Sequence, residues 1–129
     1  MFSRHHRIAE GIRRAISAWG LKLCARSPEL YSDTVSAIYV PEGYNSDELT
    51  DHAYHKYGVS FGVGLGKTAG QVFRIGHLGM MTDVMALSGL SAIEMSMADL
   101  GYPVEPGSGV RAAQEYYRST ARSKDGDSE

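Results

Sequence analysis

A single cysteine, Cys24, stands among 129 residues, which excludes an internal disulfide framework and a multi-cysteine zinc site. Net charge is small: 13 Lys and Arg against 15 Asp and Glu leave a formal −2. That balance argues against a nucleic-acid binder held by bulk electrostatics. No apolar run reaches membrane-spanning length, because the uncharged stretch 84–93 is short and bracketed by Asp83 and Glu94. The opening Ser3-Arg4-His5-His6-Arg7 is basic, but no apolar segment follows it, so no signal peptide is expected. The expectation is a cytoplasmic protein of a reducing compartment, with neither nucleic acid nor membrane as partner. What is present suits one folded domain: 43% hydrophobic and 22% charged residues, in a length able to bury a core without staples.

Ile8, Ile12, Ala15, Ile16 and Trp19 recur at helical spacing over 7–19, with Arg13 and Arg14 on the opposite face. Ser3 is the expected N-cap and Gly20 the stop. Residues 21–25 alternate as a short strand, 26–33 form a polar loop, and the β-branched segment 35–40 reads as a central strand ending at Pro41. A second helix is predicted over 46–57, capped by Asn45 or Ser46 and closed by Gly58, with Asp47 and Glu48 in its first turn. Strands over 59–63 and 71–75 flank a glycine-rich connection. Thr82 caps a long helix to Leu100 whose face carries Met85, Leu90, Ile93 and Met97, and a short helix follows within 107–118. This order, with short connections between neighbouring strands, predicts an α+β fold: a mostly antiparallel sheet with helices on one face. The charged tail 119–129 is expected to fray.

Several candidate sites have a plain structural alternative. The string 61–68, Phe-Gly-Val-Gly-Leu-Gly-Lys-Thr, approaches a phosphate-binding P-loop, but Phe61 takes the first glycine position and a strand follows where a helix should. A hairpin in which Gly62 or Gly64 permits a bulge is the better reading. His5 and His6 point to different sides of a helix, while His52 and His55 could face together but lack further ligands. Cys24 reads as a small buried side chain, and Met80, Met81, Met85, Met95 and Met97 as core filling. Arg74 differs, because it interrupts an apolar strand and is followed by Gly76 and Gly79. Either it pairs with an internal carboxylate, or it projects from the strand end to grip a ligand carboxylate with its planar fork.

The segment Gln71-Val72-Phe73-Arg74-Ile75-Gly76-His77-Leu78-Gly79 resembles the Phe-Arg-Ile-Gly-His-x-Gly stretch of the class V pyridoxal-phosphate aminotransferases, in their serine–glyoxylate and alanine–glyoxylate group. Further similar pieces fall in the same order as in that family's C-terminal part. They are Phe2-Ser3-Arg4-His5, Ala18-Trp19-Gly20-Leu21, the segment from Ser36 to Gly43, the turn from Gly62 to Gly66, and the ending from Gly107 to Tyr117.

The resemblance implies the small C-terminal domain of a fold-type-I enzyme: a leading helix over 1–20, the domain itself over 21–118 and a tail over 119–129. It implies that Arg74 binds the carboxylate of a small amino-acid or keto-acid substrate in amino-group transfer to glyoxylate. Pyridoxal phosphate would be the parent enzyme's cofactor. Its Schiff-base lysine would lie in a large domain absent from this chain, so Lys67 is not that lysine, and neither cofactor binding nor activity is expected of the chain alone. The missing large domain and a homodimer partner are the implied partners. The rival reading is a stand-alone, catalytically silent α+β module that binds a partner subunit or a small carboxylate.

Overall fold

The computed structural model describes residues 4–23, 35–64, 66–76 and 82–120. Their order is α1 (Arg4–Ala18), β1 (Lys22–Leu23), β2 (Val35–Tyr39), α2 (Ser46–Tyr57), β3 (Gly62–Val63), β4 (Val72–Gly76), α3 (Asp83–Asp99) and α4 (Ser108–Ser119). The four strands form one antiparallel sheet in the order β1-β2-β4-β3. The two five-residue strands occupy its centre, as the β-branched, apolar composition of residues 35–40 predicts. An α+β fold with an antiparallel sheet is the observed architecture.

Local signals account for most element ends. Asn45 accepts a hydrogen bond from the Asp47 amide at 2.8 Å, Asp47 and Glu48 occupy the first turn of α2, and Gly58 closes it in the left-handed conformation. The Thr82 hydroxyl accepts from the Met85 amide at 3.1 Å and starts α3. The glycine connection is a single 3-10 turn, Gly66–Thr68, followed at once by the path into β4. It presents no helix N-terminus to a phosphate, as the sequence indicates.

Helices α1 and α2 pack on the sheet, and α4 packs against both α1 and α3. At one end the Arg7 guanidinium grips both carboxylate oxygens of Asp83, at 2.5 and 3.0 Å, and donates to the Tyr117 carbonyl at 2.6 Å. At the other end Trp19 Nε1 donates to Glu94 at 2.7 Å. The 12-residue interval from Arg7 to Trp19 and the 11-residue interval from Asp83 to Glu94 nearly match, so α1 and α3 run parallel. α4 runs antiparallel to α1: its last turn meets Ile8 through the Tyr117 hydroxyl, at 2.7 Å, while Gly109 in its first turn lies against Trp19. A Cβ on Gly109 would stand 2.2 Å from the indole nitrogen, and one on Gly11 would stand 2.2 Å from the Tyr117 ring. The two glycines thus set how closely α4 approaches α1.

Ile8, Ile12, Ile16 and Trp19 bury the apolar stripe of α1 against Ile38, Phe73, Ile75, Leu90, Ile93 and Met97. Three expectations need correction. Arg13 is buried rather than opposite the core, whereas Arg14 is exposed and paired with Glu10 at 3.1 Å. Met85 and Met95 lie on the exposed side of α3, so of the described methionines only Met97 fills the core. The strand expected over 59–63 shrinks to Gly62–Val63, because only these two residues find a ladder partner on β4. The expectations for Ser3, Cys24, the loop 26–33, Met80 and Met81 and the end of the tail fall outside the described residues.

Candidate functional site

The site grows from the alternation of β4. Phe73 and Ile75 point into the core, so Arg74 between them points to the opposite face of the sheet, where it is exposed. The alternative of a buried guanidinium held by an internal carboxylate is overturned. Among the described residues Arg74 has no hydrogen-bond or ion-pair partner. Parity alone does not expose it, since Val72 on the same side of the strand is buried.

Neighbours in the ladder shape the space around it. Arg74 is paired with Ala37 of β2 on one side and with Gly62 of β3 on the other. A Cβ on Gly62 would lie 3.2 Å from Arg74 Cβ and 3.7 Å from its Cδ, so the arginine methylenes rest across the bare glycine backbone. Sequence reasoning gave Gly62 the role of a bulge. Its role as the platform for Arg74 is visible only in the hairpin register, which brings residues 62 and 74 opposite each other. Gly76, at the end of the strand, would meet nothing within 4 Å if it carried a Cβ. Among the described residues nothing covers that side of the strand end. His77, Leu78 and Gly79 lie outside the described residues.

Other candidates disperse. His52 Nε2 lies 3.0 Å from Asp99 Oδ2, while His55 Nδ1 donates to the Asp51 carbonyl at 3.0 Å, so the two histidines do not converge. Asp99 also accepts from the Tyr57 hydroxyl at 2.6 Å and from Lys56 at 2.9 Å. These bonds, from Tyr57 first, then His52 and Lys56, hold its carboxyl well below the usual carboxylate range. The cluster is an exposed clamp between α2 and α3. No group of three or more metal-ligating side chains occurs among the described residues, and no helix there is long and apolar enough to cross a membrane.

An antiparallel sheet with helices packed on it is a fold shared with solved fold-type-I aminotransferases. The chain superimposes on pyridoxamine–pyruvate aminotransferase from Mesorhizobium loti with a TM-score of 0.84 and 33% identity, covering 92% of this chain and 30% of that one. It is 63% identical over 120 residues to an L-aspartate–glyoxylate aminotransferase of Paracoccus denitrificans and 55% identical over 121 residues to a serine–glyoxylate aminotransferase of Hyphomicrobium methylovorum. These alignments take in 93% and 94% of this chain, which spans only 30% of the length of each relative. No family model matches. The chain belongs to the serine–glyoxylate and alanine–glyoxylate group of class V aminotransferases and represents their C-terminal part.

Proposed function

We propose that this chain is the substrate-gripping small domain of an enzyme that transfers an amino group from a small amino acid to glyoxylate, with Arg74 binding the substrate carboxylate. The observation that carries the reading is the exposed Arg74 guanidinium, without a partner among the described residues, on a central strand. Its planar fork can donate two parallel hydrogen bonds to a carboxylate, a geometry that a lysine ammonium cannot copy. Amino donor and keto-acid acceptor both carry a carboxylate beside the reacting carbon, so one arginine can serve both half-reactions. Fixing that carboxylate orients the rest of a small substrate, and orientation is the arginine's whole contribution.

Pyridoxal phosphate fits the family as the cofactor of the parent enzyme, where it would supply the electron sink for amino-group transfer. The described residues do not make a seat for it. Lys22, Lys56 and Lys67 are all exposed, and Lys56 is bonded to Asp99. None has the enclosed, desolvated setting that activates a Schiff-base lysine. This reading assigns the cofactor chemistry to the preceding domain and expects the chain by itself neither to bind the cofactor nor to turn over. A homodimeric, cytoplasmic enzyme completes the reading.

The test is a full-length enzyme in which this chain follows the preceding portion of the Paracoccus denitrificans relative. Amino-donor saturation is measured with Arg74, with Arg74→Lys and with Arg74→Ala. A large rise in donor KM for both variants supports the reading, whereas saturation unchanged by Arg74→Ala would sink it. The purified 129-residue chain should show no cofactor absorbance band after incubation with pyridoxal phosphate.

A further inference from the structure

Helix α3 lacks the charged outer face that a solvent-facing helix normally carries. Between Asp83 and Asp99 its single charged side chain is Glu94, which is 5% exposed and faces Trp19. Its outer side presents Val84 at 71% exposure, Met85 at 46% and, further along, Met95 at 45%. The other helices differ: α2 shows Asp47, Glu48, Asp51 and Lys56 to solvent, and α4 shows Arg111, Glu115 and Arg118.

We infer that the exposed first turn of α3, at Val84 and Met85, is the seat of the polypeptide that precedes this chain in its full-length enzyme. The relatives carry about 70% of their length outside the matched segment, and α1 is the first element of the described structure. Arg7, in the first turn of α1, is locked onto Asp83, the residue just before Val84. Three residues of helix span about 4.5 Å, so the chain arriving at Arg4 reaches the domain beside Val84 and Met85. Met95 lies ten residues further, about 15 Å along the helix, away from that point. The end of β4 leads through six residues to the same end of α3. The inference rests on the chain's membership of a longer enzyme and not on the role of Arg74, so either can fail alone.

The experiment uses the full-length enzyme described above and maleimide labelling read peptide by peptide in a mass spectrometer. Val84→Cys and Met85→Cys are compared with Tyr54→Cys, whose parent side chain is 58% exposed on α2. In the native enzyme, positions 84 and 85 should label at least about tenfold more slowly than position 54, while in urea all three should label alike. Equal native rates overturn the inference. The occupant is identified by photo-methionine at position 85 in enzyme reconstituted from a mixture of light and heavy nitrogen chains. Same-isotope cross-links into residues preceding this chain support the inference. Mixed-isotope cross-links would assign the face to a second copy and overturn it.

Discussion

Gly62 and Arg74 face each other across the β3–β4 ladder, and a methyl group on Gly62 would stand 3.2 Å from Arg74 Cβ. The arginine's direction is therefore set by a side chain that is not there. Directly opposed residues of an antiparallel pair ordinarily keep their Cβ atoms about 4.5–5.5 Å apart, so Arg74 leans over its partner. A branched residue at position 62 would lift the methylenes from the backbone and swing the guanidinium. In the full-length enzyme Gly62→Val should raise amino-donor KM at least about tenfold, and Gly62→Ala should raise it less. Arg74→Ala, which removes the grip itself, should cost about 2–5 kcal/mol in substrate recognition. Steady-state kinetics on the three variants checks the order. Wild-type donor saturation in Gly62→Val would refute the platform role.

Glu94 is a buried carboxylate that anchors the start of α4 to Trp19. One of its oxygens accepts from Trp19 Nε1 at 2.7 Å and from the Gly109 amide at 2.8 Å, and the other accepts from the Gly107 amide at 2.8 Å. It thereby caps the start of α4, whose N-cap residue Gly107 has no side chain to do so. Glu94→Ala would strand these donors in a buried place, where each unsatisfied group costs about 1–3 kcal/mol. Destabilisation by at least about 3 kcal/mol is expected, with Glu94→Gln less severe because it keeps an acceptor oxygen. Denaturant unfolding of the chain measures both. A loss below about 1 kcal/mol for Glu94→Ala would show that water replaces the carboxylate.

Tyr102 makes a contrasting prediction. Its ring lies 4.2 Å from that of Tyr44, and its buried hydroxyl has no hydrogen-bond partner. Burial first, then the charges of Glu48 and Tyr44, push its ionisation from the ordinary 10.0 up to about 12. The folded state therefore holds the proton more tightly than the unfolded chain. The stabilisation is complete below pH 10 and is lost as pH rises from there through about 12. Tyr102→Phe should raise neutral-pH stability by about 1 kcal/mol by removing an unsatisfied hydroxyl, and should flatten the alkaline fall. Thermal unfolding between pH 7 and 11 gives both, and a destabilised Phe variant would contradict the first.

Much of the fold was legible in the sequence because its signals are local. Asn45, Gly58 and Thr82 announce helix ends through their own backbone chemistry, and the spacing of Ile8, Ile12, Ile16 and Trp19 names the buried stripe of α1. The errors arise where distant segments decide. Met85 and Met95 look like core residues on a helix rich in apolar side chains, yet the packed helices α1, α2 and α4 cover the face bearing Leu90, Ile93 and Met97 and leave these two exposed. Arg13 reads as solvent-facing by helical phase, but it is buried in the packed structure. Arg74 stands out because it interrupts an apolar strand, and the family segment adds the carboxylate role to it. Its side of the sheet follows from the alternation along β4, while its exposure and its rest on Gly62 depend on neighbours set by a hairpin register that the short β3 leaves almost unmarked in sequence.

The clamp at Asp99 makes the acid-side prediction. Tyr57, His52 and Lys56 all reach one carboxylate oxygen, joining the end of α2 to the end of α3. Because these bonds favour the ionised form, the carboxyl titrates below its ordinary 3.8 in the folded state. The unfolded chain binds the proton first as pH falls, so the contribution of the clamp is present above pH 3.8 and drains away below it. All three donors sit at an exposed site, where screening keeps each bond weak. Asp99→Asn should leave the neutral-pH fold intact, reduce the loss of stability on going below pH 4, and make the remainder less salt-sensitive. Urea unfolding of the chain and the variant at pH 6 and pH 3, each at low and high salt, checks this. Identical pH dependence in the two proteins would show that Asp99 does not couple α2 to α3.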